Sequence, residues 1–107
     1  MTQAIAEIVA EAQRLMATGK LAEAEGNLRG AAADLLPAEP VLWFTLAHCL
    51  GAQKKYSAAE DIYRDLLRFF PTHLETLHHL GNIVADQGRI EEAVRLFGLH
   101  PLKGSKI

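Results

Sequence analysis

Apolar side chains fall at three- and four-residue steps along almost all of this 107-residue chain, and they do so in the same order more than once. Trp43, Leu46, Ala47, Leu50, Tyr56, Ala59 and Tyr63 return 34 residues later as Leu77, Leu80, Gly81, Val84, Ile90, Ala93 and Phe97. Steps of three and four draw an apolar stripe down one side of a helix. No run alternates apolar and polar residues as a half-buried strand would. The pattern predicts an all-α chain of six helices, at about 3–18, 21–35, 40–53, 56–70, 74–87 and 90–99. A weaker copy lies upstream at an offset of 35, where Ile8, Ala12, Leu15, Gly19, Leu21, Ala24, Leu28 and Ala31 align with Trp43, Ala47, Leu50, Lys54, Tyr56, Ala59, Tyr63 and Leu66. Pro37 and Pro71 are 34 apart, so one extra residue falls between Ala31 and Pro37. A repeat of this length marks helical hairpins, each burying its apolar face against its neighbours.

The run Trp43-Phe44-Thr45-Leu46-Ala47-His48-Cys49-Leu50, followed by Tyr56, Ala59, Tyr63 and Pro71, resembles the tetratricopeptide repeat, whose pattern is W-x2-L-G-x2-Y, then A-x3-F, then P. The next copy, with Leu77, Leu80-Gly81, Val84, Gly88, Ile90, Ala93 and Phe97, supplies the glycine that Ala47 replaces. The resemblance implies a right-handed α-α superhelix of three antiparallel helix pairs. It implies a single domain over 1–107, with repeats at about 5–39, 40–73 and 74–107 and the last cut short after Pro101. It also gives the small residues a purpose: Ala12, Ala47 and Gly81, with Ala24, Ala59 and Ala93 opposite, would let the helices of a hairpin cross closely. Glu11 stands where the family has leucine, which suggests an exposed first helix. Gly19 and Gly88 fall where first helices must end, a place for positive φ, and Lys54 at the matching position predicts a strained turn. Pro37 and Pro71 would end second helices.

Charge and composition exclude more than they identify. A formal charge of −2 with scattered lysine and arginine gives no basic surface for nucleic acid. Lys54-Lys55 and the acids Glu60, Asp61 and Asp65 read as solvated surface charge, and Glu91-Glu92 as first-turn charge favourable to the helix dipole. The lone Cys49 sits at a packed helical position, reads as a buried structural thiol, and suits a reducing compartment. The N-terminal stretch has neither a basic n-region nor an unbroken apolar core, and no segment is long enough to insert into a membrane. A soluble, cytoplasmic protein is expected. No Gly-rich phosphate loop, H-E-x-x-H or G-x-S-x-G occurs, and no catalytic residue or cofactor is expected. His73, His78 and His79 lie near one another in sequence, but adjacent helical residues point in different directions, so a metal site is not expected either.

The resemblance places a ligand on the concave side lined by first helices. Carried over by alignment, the groove positions are Val9, Gln13, Met16 and Ala17, then Val41, Phe44, His48 and Ala52, then Glu75, His78, Asn82 and Asp86. Apolar residues beside a polar, histidine-bearing wall suit an extended or helical peptide with apolar anchors. Family members that grip the acidic tails of heat-shock chaperones use cations and asparagines on this face. Here the matching positions are Val9, Gln13, Thr45, Glu75 and His79, and Glu75 has the wrong sign. The expected function is a non-catalytic adaptor or scaffold binding a protein or peptide partner. The rival expectations are a homo-oligomer joined through an uncapped C-terminal end, a small secretion-type chaperone, and a repeat segment of a longer protein.

Overall fold

The computed structural model describes residues 3–32 and 39–98. The extra residue before Pro37, Pro37 itself and the segment after Gly98, including Pro101, lie outside the described residues. Six α-helices are described: α1 (Gln3–Ala17), α2 (Leu21–Ala32), α3 (Pro40–Ala52), α4 (Tyr56–Phe69), α5 (Leu74–Asp86) and α6 (Ile90–Gly98). No strand occurs among the described residues, and the fold class is all-α. The chain divides into two compact units, Met1–Ala59 and Glu60–Ile107, with the boundary inside α4.

Three turns share one geometry, and it explains where the first helices stop. After α1, the Lys20 N–H donates to Leu15 O at 2.8 Å and the Gly19 N–H donates to Met16 O at 3.1 Å. The same pair of bonds follows α3, from Lys55 to Leu50 and from Lys54 to Gly51, each at 2.9 Å. It follows α5 as well, from Arg89 to Val84 and from Gly88 to Ala85, again at 2.9 Å. These are Schellman closures, which need a left-handed residue at the fifth position. Gly19 and Gly88 supply it at φ +83°, and Lys54 is held at φ +63°. The weak upstream copy is therefore a helix pair with the same turn as the stronger two.

In the first unit α1 packs on α2, α2 packs on α3, and α1 also reaches α3. The buried positions are Ile5, Val9, Ala12 and Leu15 on α1, then Ala24, Leu28 and Ala32 on α2. On α3 they are Leu42, Leu46, Ala47, Cys49 and Leu50. The stripe on α1 thus runs through Ile5 and Val9, and Ile8, aligned with Trp43, is only half-buried. Pro40 opens α3 from the first helical position, where its missing N–H costs nothing. Cys49 is fully buried and its thiol donates to Leu21 O at 3.2 Å, the structural role expected of it. Burial pushes that thiol's pKa up.

In the second unit α5 packs on α6, with Tyr63 and Leu66 of α4 buried. Leu77, Leu80, Ile83 and Val84 of α5 and Ala93 and Leu96 of α6 complete the core. Gly81 of α5 lies directly against the ring of Phe97 on α6: a Cβ placed there would lie 2.5 Å from Cε1 of Phe97. Helix α4 ends at Phe69 because Phe70 precedes Pro71, and the residue before a proline is driven out of the α region. Ile90, which the alignment puts in the apolar stripe with Tyr56, is instead 57% exposed.

Candidate functional site

The first helices carry the candidate contact residues, and their buried sides fix which way the rest must point. On α5, Thr76, Leu77, Leu80, Gly81, Ile83 and Val84 are buried, so Glu75, His78, Asn82 and Asp86 are left exposed in one line. Steps of three, four and four keep that line on one face, about 16 Å long at 1.5 Å per residue. On α3 the same steps run through Val41, Phe44, His48 and Ala52, the first two half-buried and the last two exposed. On α1, Gln13 and Ala17 are exposed, Met16 is half-buried, and Val9 is buried in the core of the unit. In the first unit α1 and α3 are in contact, which brings their candidate residues into one body.

The polar chemistry of these helices is mostly internal. Thr45, buried on α3, donates its hydroxyl to Val41 O at 2.7 Å, which satisfies it without a partner from outside the helix. The indole N–H of Trp43 is buried and finds no acceptor among the described residues. His73 caps α5: its Nδ1 accepts the Thr76 N–H at 3.3 Å and lies 2.6 Å from Thr76 Oγ1. Histidine is an unusual cap, which is why the sequence pointed only to a turn there. His79 stacks on Tyr63 with ring centroids 6.2 Å apart, and His78 stands edge-on to His79 and 5.8 Å from the ring of Phe97. The histidines of α5 thus serve as aromatic neighbours. Among the described residues no three His, Cys, Asp or Glu side chains are grouped to hold a metal ion.

The main electrostatic feature lies away from the first-helix faces. Glu25 of α2 accepts from Gln53 and Lys55, each at 2.9 Å, and from Arg29 at 2.8 Å. Glu60 of α4 accepts from Arg89 at 2.8 Å, from Arg64 at 2.9 Å and from Gln87 at 3.5 Å. Glu92 of α6 joins the second set, pairing with Arg64 and with Arg89. The Lys55 ammonium, with Arg29 and Gln53, brings the Glu25 carboxyl down to about 2. The Arg89 guanidinium does the same to Glu60, also to about 2, against the opposing effect of partial burial. Taken one residue at a time, Lys55 and Glu60 read as solvated charge and Glu92 as first-turn charge favourable to its helix. The signal that could have found the network was in the repeats: Glu25, Arg29, Gln53 and Lys55 return as Glu60, Arg64, Gln87 and Arg89.

Among the described residues no helix is long and apolar enough to cross a membrane. No curated protein matches the chain. Two family models described as tetratricopeptide repeat do match, one over residues 40–83 and the other over residues 73–98. Such repeats are in general protein–protein interaction modules without catalytic activity. With two matches spanning residues 40–98 and the same turn closing all three first helices, the chain belongs to the tetratricopeptide repeat family.

Proposed function

We propose that the chain is a non-catalytic adaptor that holds a peptide or helical segment of a partner protein against its first helices. One observation carries this reading. The lines Val41, Phe44, His48, Ala52 of α3 and Glu75, His78, Asn82, Asp86 of α5 have the same spacing, the α5 line exposed throughout and the α3 line half-buried at Val41 and Phe44 and exposed at His48 and Ala52. Phe44 and Met16 are half-buried apolar groups that a guest side chain can cover. Gln13, His48, His78 and Asn82 are exposed polar groups that can meet the guest's backbone. Val9 is buried in the core of the first unit, and Glu75 and Asp86 exclude an acidic guest from the α5 line.

The test is capture of a partner from native extract, followed by calorimetric titration of that partner with the wild-type chain and with Phe44→Ala and Asn82→Ala. Each substitution should weaken binding by about tenfold or more while the helical circular dichroism is unchanged. Unchanged affinity in both variants would sink the reading.

A further inference from the structure

We infer that α6 is a self-association surface, on which two copies of the chain pair antiparallel along Ile90 and Val94, with Glu91 of one copy against Arg95 of the other. Helix α6 breaks the rule that its two predecessors obey. Val94 stands where α2 has Glu25 and α4 has Glu60, and Gly98 stands where they have Arg29 and Arg64. In both earlier helices that acid takes the cation of the following turn, Lys55 or Arg89. Val94 offers no such bond. It is 62% exposed, and Ile90, one turn before it, is 57% exposed. A further repeat held by the same ionic contact has nothing to grip on α6. The same is true of head-to-tail stacking, because Lys20 of a second copy would meet a valine.

The flanking charges choose among the remaining occupants. Glu91 and Arg95 are four residues apart, exposed, and take no part in an ion pair among the described residues. Glu92, by contrast, is held by Arg64 and Arg89. A two-fold axis across α6 reverses the order of residues in the second copy. Glu91 then faces Arg95 and Arg95 faces Glu91, so one flank is complementary to itself and closes as a dimer. The apolar stripes meet between these pairs, and Gly98, where an added Cβ would find nothing within 4 Å, leaves the end of the seam open to close approach. The seam is short, since α6 has nine residues, and it falls well below the roughly 1,200 Å² of a stable interface. The dimer is accordingly weak, with Kd of about 10–100 µM.

Sedimentation equilibrium of the full chain from about 5 to about 500 µM tests this, a range chosen to bracket that Kd. The mass should rise from the 11.7 kDa of the monomer towards twice that value. Val94→Lys should remain monomeric throughout. Glu91→Arg and Arg95→Glu should each weaken the dimer by about tenfold, and the double exchange should restore it to within about threefold of wild type. A wild-type chain that stays monomeric overturns the proposal, as does a double exchange no tighter than the single ones. If the wild type stays monomeric and Val94→Lys lowers the melting temperature, the stripe is covered within one chain, and the proposal falls on that result as well.

Discussion

Glu60 of α4 accepts a hydrogen bond from Arg89 at 2.8 Å, the same contact that Glu25 of α2 makes with Lys55 at 2.9 Å. In each case an acid on a second helix takes the cation at the turn of the next hairpin, and a glutamine two residues before that cation also donates to it. The bond recurs because the hairpins recur. Each acid also holds an arginine one turn along its own helix, Arg29 or Arg64, so the carboxylate is saturated while only 14–15% of its side-chain surface stays exposed.

Removing one of these carboxylates should therefore cost more than an ordinary surface charge. Glu60→Gln leaves Arg64 and Arg89 sharing Glu92 alone, and should destabilise the protein by about 1–2 kcal/mol in urea unfolding, above the usual range for isolated exposed pairs. A double-mutant cycle with Arg89→Gln should return a favourable coupling between the two side chains. Additive effects would mean that the two residues do not support one another.

The pH dependence has a definite sign. Glu25 and Glu60 titrate at about 2 in the folded chain against 4.5 for an ordinary glutamate. A carboxylate with a lowered folded pKa contributes stability that is complete above the unfolded value and disappears as pH falls towards the folded one. Melting temperature should be steady from pH 7 to about 5 and decline between about 4.5 and 2. The decline should be smaller in the Glu25→Gln/Glu60→Gln chain; an equally steep decline there would assign acid sensitivity to other groups.

Lys54 carries the left-handed conformation that Gly19 and Gly88 carry elsewhere. For a side chain with a Cβ this conformation costs about 1–2 kcal/mol, part of which glycine returns through its floppier unfolded chain. Lys54→Gly should stabilise the protein by about 0.5–1 kcal/mol, and Gly19→Ala and Gly88→Ala should each destabilise it by about 1 kcal/mol. Thermal melts followed by circular dichroism would show both directions.

Gly81 and Phe97 form one packing unit, since the ring edge occupies the space a methyl group at residue 81 would need. Gly81→Ala gains about 1 kcal/mol of helix propensity and loses about 1–3 kcal/mol to the overpacked ring. The net effect should be destabilising by about 1 kcal/mol. Phe97→Leu in the same chain should remove the penalty, so that Gly81→Ala becomes neutral or stabilising in that background. A Gly81→Ala chain as stable as wild type would show that Phe97 swings aside at no cost.

The helices and their turns were legible because they rest on local chemistry. The starts at Leu21, Pro40, Tyr56, Leu74 and Ile90 and the turns at Gly19, Lys54 and Gly88 follow from periodicity, proline and positive φ. The exposed positions of α5 were legible for the same reason: steps of three and four fix a face before any partner is known. Val9 was less so, because sequence alignment marks it as a contact position while the α2 and α3 packing on α1 buries it.

By itself, then, the order of residues determined an all-α chain of repeated helix pairs, the closures between them and the sides on which candidate contacts stand. Tertiary structure decided that Lys55 serves Glu25 and Arg89 serves Glu60, that Phe97 fills the gap at Gly81, that His73 caps a helix, and that Ile90 and Val94 face outward. The physical reason is range. Helix phase and turn geometry are set by residues within about five positions of one another. An ion pair between residues 29 or 30 positions apart exists only once packed hairpins have brought its two ends together.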